Sequence, residues 1–258
     1  MRADQLLVER GLASSRSQAQ RLIASGVQWL DHGAWKRVAK NGDVLPLGAE
    51  LELLDSAEAR YVSRGGLKLE GALAASGVDV TRKRCLDVGQ STGGFTDCLL
   101  QHGAAHVTGV DVGHGQLHES VRREPRVTAL EKINARELDA EQAGRDFDFA
   151  CADLSFISST LVLPAIVPLL KPGADLLLLV KPQFELQPGQ IGKHGIVSDE
   201  SLYPLVQRRV NDCCASLGLQ VRGWYDSVVQ GGDGNREFFV HATNTGGEAL
   251  KKRDGDAS

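Results

Sequence analysis

Four charged side chains and one glycine-rich stretch are where this sequence could do chemistry. Asp153 ends the run Phe147-Asp148-Phe149-Ala150-Cys151-Ala152-Asp153, and Lys181 ends Leu176-Leu177-Leu178-Leu179-Val180-Lys181. Glu237 stands just before Phe238-Phe239-Val240, and Lys68 lies in Gly65-Gly66-Leu67-Lys68-Leu69-Glu70. A charge at the end of an apolar strand is costly to bury unless paired, so an acid and a lysine placed this way point to a site, although a structural ion pair would meet the same cost. The glycine-rich stretch is Cys85-Leu86-Asp87-Val88-Gly89-Gln90-Ser91-Thr92-Gly93-Gly94-Phe95-Thr96-Asp97. Its glycines permit a sharp turn and a close backbone approach, and the free N–H groups of a following helix form a polar cradle. Gly89, Ser91 and Gly93 satisfy G-x-S-x-G, the elbow of a nucleophilic serine. The same loop matches the dinucleotide fingerprint only in part, because Ser91 takes the place of its second glycine. Asp111 follows Gly89 by 22 residues, where an acid can accept hydrogen bonds from a ribose diol.

These side chains need a framework that brings them together. Residues 85–88, the glycine loop and residues 95–100 read as strand, turn and helix, the first βα unit of an α/β domain. Strands are expected at 106–111, 127–130, 147–153, 175–181, 219–225 and 236–242. The unbroken apolar run at 176–180 marks a strand buried on both faces, as in a parallel sheet. Residues 158–170 read as a helix closed by Pro172-Gly173, residues 199–217 as another closed by Gly218, and 183–196 as a long mobile loop. Ligands of open α/β sheets bind at the carboxyl ends of the strands, which is where the loop, Asp111, Asp153 and Lys181 then fall.

Ahead of this body lies a smaller pattern. Residues 4–10 form a short helix stopped by Gly11, and Ser15-Arg16-Ser17-Gln18 matches a capping box opening a second helix that runs to Gly26. Val27-Gln28-Trp29-Leu30, the turn Asp31-His32-Gly33 and Ala34-Trp35-Lys36-Arg37-Val38 form a hairpin, with a further strand at 50–54. Trp29 and Trp35 are expected in the core of this head, the alternative being stacking on bases. A head at 1–55, a polar linker at 56–62, a body at 63–243 and a disordered tail at 244–258 result.

The chain has 258 residues and net charge −4. Residues 1–40 nevertheless hold seven Lys/Arg against three acids, so a locally basic head sits on an acidic body, which is compatible with RNA contact through the head. No apolar run approaches the ~20 residues of a membrane helix, and no leader pattern opens the chain, so a cytoplasmic protein without a membrane partner is expected. Five scattered cysteines lack any C-x-x-C spacing, which argues against bound zinc or a disulfide framework. No metal and a monomeric state are expected.

Leu6-Leu7-Val8-Glu9-Arg10-Gly11-Leu12-Ala13-Ser14-Ser15-Arg16, with Ala19-Gln20-Arg21-Leu22-Ile23 and Gly26, resembles the S4 RNA-binding domain. The resemblance implies that the second helix and hairpin present Arg16, Arg21, Lys36 and Arg37 to structured RNA, with Arg64 beyond them. The whole chain resembles the TlyA family of rRNA 2′-O-methyltransferases. Tyr61-Val62-Ser63-Arg64-Gly65-Gly66-Leu67-Lys68-Leu69, the glycine loop, Val110-Asp111-Val112-Gly113-His114-Gly115-Gln116-Leu117, Asp153-Leu154-Ser155-Phe156-Ile157-Ser158, Val180-Lys181-Pro182-Gln183-Phe184-Glu185 and Gly234-Asn235-Arg236-Glu237-Phe238 carry the match. Gln90 stands where that family usually has a small residue. The resemblance implies a Rossmann-like class I S-adenosylmethionine-dependent methyltransferase sheet behind a small α+β S4 head. It further implies a Lys-Asp-Lys-Glu tetrad at Lys68, Asp153, Lys181 and Glu237; within it Lys181 is expected to be the base or immediate proton acceptor, with Asp153 and Glu237 orienting it and Lys68 steering the hydroxyl. S-adenosylmethionine would lie on Asp87, Gly89, Ser91, Thr92, Gly93, Gly94 and Phe95, with Asp111 on its ribose, Asn134 and Ala135 at its adenine and Asp153 beside it. Ser91 is then a loop residue and not a nucleophile. The expected substrate is a cytidine in 23S and possibly 16S rRNA, the short lead before the first helix leaning toward 23S alone. Family members also carry the name haemolysin, but a direct pore is not expected. A ribosome-binding module without activity and a serine hydrolase are the competing readings.

Overall fold

The computed structural model describes residues 1–54, 60–231 and 234–246. Most of the expected linker, 56–59, and residues 247–258 of the expected tail lie outside the described residues; Asn244, expected to begin that tail, instead closes the last strand. The chain divides into two compact units, Met1–Leu67 and Lys68–Ser258.

In the first unit, α1 (Ala3–Glu9) buries Leu6 and Leu7 and is followed by Gly11 in the left-handed region at φ +70°. The Ser15 hydroxyl accepts from the N–H of Gln18 at 3.2 Å and caps α2 (Arg16–Gly26). The return half of the capping box is displaced by one residue, because Gln18 Oε1 accepts from the N–H of Ser14 at 2.6 Å. The strands β1 (Val27–Asp31), β2 (Ala34–Arg37) and β3 (Leu51–Leu53) form an antiparallel sheet in the order β2-β1-β3. Leu6, Leu7, Ala19, Leu22, Ile23, Val27, Val38 and Leu45 make its core, with Trp29 packed at the edge. Trp35 is not in that core: every residue of the edge strand β2 is exposed, and Trp35 is 43% exposed.

The second unit opens within α3 (Gly65–Ser76) and continues through β4 (Arg84–Val88), α4 (Gly94–Gln101), β5 (His106–Asp111), α5 (Glu119–Arg122), β6 (Val127–Glu131), α6 (Ala140–Ala143) and β7 (Phe147–Asp153). Then come α7 (Leu163–Ile166), β8 (Leu170–Val180), α8 (Pro182–Glu185), α9 (Tyr203–Ser216), β9 (Leu219–Asp226) and β10 (Phe238–Asn244). Seven strands form one sheet in the order β6-β5-β4-β7-β8-β10-β9; the first five are parallel, and β10 runs antiparallel to both β8 and β9. Leu86, Val88, Ala150, Ala152, Leu176, Leu178, Val180, Val240 and Ala242 join Val162, Leu163, Ile166, Val206 and Val210 in the main core. Strands covered this way need apolar residues at successive positions, which is why 176–180 is all leucine and valine.

Three expectations are corrected. Residues 158–170 do not make one helix. Pro164 and Pro168 each remove a backbone donor, and the segment folds as a 3₁₀ turn, the short α7 and a second 3₁₀ turn. Pro172-Gly173 does not end a helix but lies inside β8, ahead of its pairing with β10, which begins at Asp175. Residues 183–196 are not an open loop: they hold α8 and two 3₁₀ turns with side-chain anchors described below.

Candidate active site

The parallel register puts the carboxyl ends of β4, β5, β7 and β8 along one edge of the sheet. Val88 lies beside Val110 and Ala152, and Asp153 lies beside Leu179. Hence the glycine loop, Asp111, Asp153 and Lys181 emerge at the same edge. Antiparallel β10 begins where β8 ends, with Phe238 opposite Val180, so Glu237 enters from the loop before β10 at that edge too.

The glycine loop is held in unusual backbone geometry. Gly89 has φ +87°, Ser91 +48° and Gly93 +93°. A Cβ at Gly89 would overlap the backbone carbonyl of Asp153, so only glycine fits where β4 passes β7. Asp111 braces the loop from the end of β5: its Oδ2 accepts from the N–H of Ser91 and its Oδ1 from that of Gly113, each at 2.7 Å. Thr92 accepts from the N–H of His118 through its carbonyl. Gly94 opens α4. Among the described residues the Ser91 hydroxyl has no histidine partner.

Two expected cofactor contacts lie beneath this cradle instead of facing out of it. Phe95 is buried and packs on Phe239, ring centres 6.0 Å apart. Asp87 is fully buried, and its Oδ2 accepts from the Thr96 hydroxyl at 2.6 Å, which in turn accepts from Gln90 Nε2 at 2.9 Å. Burial pushes the Asp87 carboxyl up to about 7. Gln90 therefore points down and away from the cradle. It fits because β5 has Gly109 alongside, where a Cβ would overlap the Gln90 amide. Sequence reading missed this support; a glycine inside the apolar strand 106–111 was its one visible sign.

The four charged candidates form two pairs. Lys181 Nζ lies 2.6 Å from Asp153 Oδ1 and donates to the Ser155 hydroxyl at 2.9 Å. Lys68 Nζ donates to Glu237 Oε2 at 2.6 Å, with Glu237 only 3% exposed. Glu237 thus fixes Lys68, and its expected role of orienting Lys181 is corrected. The cross-strand register put Glu237 next to Lys181, but the carboxylate turns to α3. Gly231 leaves room for it, since a Cβ there would meet Glu237 Oε1 at 2.5 Å.

Both lysines and Glu237 line a cleft of about 370 Å³ with Ser155, Phe156, Gln183, Phe184, Ile191, His194 and Gly195. Phe156 is 92% exposed, has φ +64°, and its ring centre lies 5.4 Å from that of Phe184. A strained, solvent-facing aromatic at a cleft rim is suited to stacking on a planar ligand. One wall is anchored by Glu185, whose carboxylate accepts from the Ser158 hydroxyl and from the N–H and hydroxyl of Ser159 at 2.6–2.7 Å. Ser155, Phe156 and Glu185 all lie within stretches that carried the family resemblance, but their types alone assigned them no task.

Asn134 and Ala135 lie beyond β6. The Asn134 side chain accepts from the N–H of Arg136 and donates to Glu137, and Ala135 packs against the core. In the head, Arg16 donates to the buried carboxylate of Asp4 at 2.9 Å, and Arg2 pairs with the same group. The Arg2 guanidinium above all holds that carboxyl well below the usual range. Lys36 pairs with Asp31 at 2.6 Å and Arg37 donates to the Ala24 carbonyl, both from exposed β2; Arg21 and Arg64 are half-buried.

The FtsJ-like methyltransferase family matches residues 61–244 and the S4 domain matches residues 1–26. The 16S/23S rRNA (cytidine-2′-O)-methyltransferase TlyA of Mycobacterium tuberculosis is 44% identical over 239 residues, covering 93% of this chain and 88% of that protein. Hemolysin A of Brachyspira hyodysenteriae is 35% identical over 93% of this chain and 99% of its own. A solved structure of a Streptococcus thermophilus protein named for hemolysin superposes with a TM-score of 0.73 at 41% identity, covering 95% of this chain and 88% of that one. No helix among the described residues is long and apolar enough to cross a membrane. With a class I methyltransferase-like sheet, an S4 head and relatives spanning nearly its full length, the chain belongs to the TlyA family of FtsJ-like methyltransferases.

Proposed function

We propose that this chain methylates the 2′-oxygen of a cytidine in ribosomal RNA, drawing the methyl group from S-adenosylmethionine. The observation that carries this reading is the pairing of two lysines with two carboxylates, with Lys68, Lys181 and Glu237 on the wall of one cleft. A ribose hydroxyl is a weak nucleophile; it must be held in line and relieved of its proton as it attacks. The Lys181 ammonium carries three hydrogens. The Ser155 hydroxyl takes one, and Asp153 Oδ1, 2.6 Å from Nζ, is the ion-pair partner of the lysine. Transfer of one proton from Lys181 to Asp153, which releases it to solvent, leaves a lone pair on Nζ, and that lone pair takes the hydroxyl proton as the oxygen attacks. Lys68, fixed by Glu237, steers the hydroxyl from the other side.

The residues at the strand ends fit a nucleoside cofactor. Each oxygen of Asp111 accepts one backbone N–H and keeps a further lone pair for a ribose diol. The backbone of Gly89, Ser91, Thr92, Gly93 and Gly94 would hold the amino acid end, and Asn134 and Ala135 the adenine. When bound, S-adenosylmethionine supplies an electrophilic methyl on a sulfonium. Asp87 acts through Thr96 on the loop above it. Arg16, Arg21, Lys36, Arg37 and Arg64 would grip the RNA backbone.

The test supplies labelled S-adenosylmethionine and ribosomal subunits that lack the modification. A 2′-O-methyl group blocks alkaline cleavage at its own linkage, so the expected product is an alkali-resistant dinucleotide containing labelled methylcytidine. Label on a base, or none despite normal cofactor binding, would overturn the proposal.

A further inference from the structure

The loop at 192–197 carries one side chain into the cleft for which the mechanism above has no role. His194 lines the cleft with Lys68, Lys181 and Glu237, and its backbone stands at φ +61°. That conformation strains a residue bearing a Cβ, and glycine adopts it freely. The strain is held from two directions. The N–H of Gly192 donates to the carbonyl of Ile196 at 2.9 Å. Asn235, 2% exposed, donates through Nδ2 to the carbonyl of Gly195 and accepts through Oδ1 from the N–H of Val197, each at 3.0 Å. Asn235 lies two residues before Glu237, so one buried amide ties the loop of His194 to the segment that fixes Lys68.

The charge balance of the cleft says what this arrangement could hold. Both catalytic lysines are matched by carboxylates, so neither brings unopposed positive charge to an anionic substrate. Aromatic surface is supplied by Phe156 and Phe184. His194 is exposed, and among the described residues its ring nitrogens have no acid or carbonyl partner. A nucleotide inside an RNA strand brings a phosphodiester on each side of its ribose, and an imidazole N–H is a suitable donor to it. Building on the methyl transfer proposed above, we infer that His194 holds a phosphodiester oxygen next to the target ribose, and that Asn235 is the positioning residue that keeps it there. The backbone strain at His194 is then the cost of aiming its side chain into the cleft.

The test compares the full chain with His194→Gly and His194→Gln. Three quantities are measured: the melting temperature, cofactor affinity by calorimetry, and both affinity and kcat/KM for a 23S rRNA fragment. Glycine relieves the strain, so His194→Gly is expected to melt at or above the wild-type temperature and to bind cofactor within twofold. Its affinity and kcat/KM for the RNA are expected to fall about tenfold, chiefly through KM, the loss expected for one hydrogen bond to a charged group. His194→Gln, which keeps an N–H donor, should recover most of that loss. Unchanged RNA affinity in His194→Gly overturns the inference, and so does a loss that comes with a lower melting temperature and weaker cofactor binding. If the wild type transfers no methyl to rRNA, the proposed reaction fails, while the RNA affinities of the two variants still decide the role of His194.

Discussion

Lys68 and Lys181 each sit 2.6 Å from a carboxylate, yet burial gives the two pairs different weight. Glu237 is 3% exposed, whereas Asp153 is 25% exposed and shares its lysine with Ser155. Removing the partner of a dry carboxylate leaves an uncompensated charge, so Lys68→Ala should lower stability by ~3 kcal/mol or more in urea denaturation. Lys181→Ala should cost less, because Asp153 is 25% exposed as a whole although the Oδ1 facing the lysine is buried. Asp87 makes a pH-dependent prediction. Its carboxyl is about 7 in the folded chain and 3.8 as an isolated group, so between about pH 4 and 7 the folded state keeps a proton that the unfolded state has lost. Stability from this group is therefore greatest at the acid end of that window, falls as pH rises through it, and levels off above 7. Asp87→Asn removes the dependence. The melting temperature of the variant, taken relative to wild type, should rise between pH 4 and pH 8, and a constant difference would contradict the assignment.

At the scale of elements, the glycine loop works because its neighbours leave it room. Gln90 lies against Gly109, so Gly109→Ala should destabilise the chain and weaken cofactor binding, while Gln90→Ala in the same chain should restore much of both. A double variant no better than Gly109→Ala alone would show that the packing argument is wrong. The strands carrying the site were legible in advance because each is a short apolar run ending at a charge or a glycine. Strands at 106–111 and 147–153 were read with their observed bounds. The apolar spacing of residues 158–170 misled, since Pro164 and Pro168 outweigh it. Partnerships were harder to see. Lys68 and Glu237 are 169 residues apart, and which carboxylate meets which lysine depends on where α3 lies against the sheet, not on local spacing. The resemblance implied Phe95 as a ligand contact, but the face it turns is set by packing on Phe239.

For the whole molecule, the RNA contact is expected on a local basic surface of the head. The head carries Lys36 and Arg37 on an exposed edge strand, each held by an acid or a carbonyl that also orients it. Lys36→Glu with Arg37→Glu should weaken rRNA binding and flatten its salt dependence by about one unit of slope per lost phosphate contact, with cofactor affinity unchanged. Equal salt slopes would move the RNA contact elsewhere. The central claim concerns the body: the amine of Lys181, at the end of β8, takes the proton of the attacking hydroxyl. Single-turnover methyl transfer to 23S rRNA by the full chain, wild type beside Lys181→Ala, tests it most directly, with cofactor binding measured on both. The predicted result is a rate lower by about 10²–10⁴-fold at unchanged cofactor affinity; a variant that transfers methyl at near wild-type rate would contradict it.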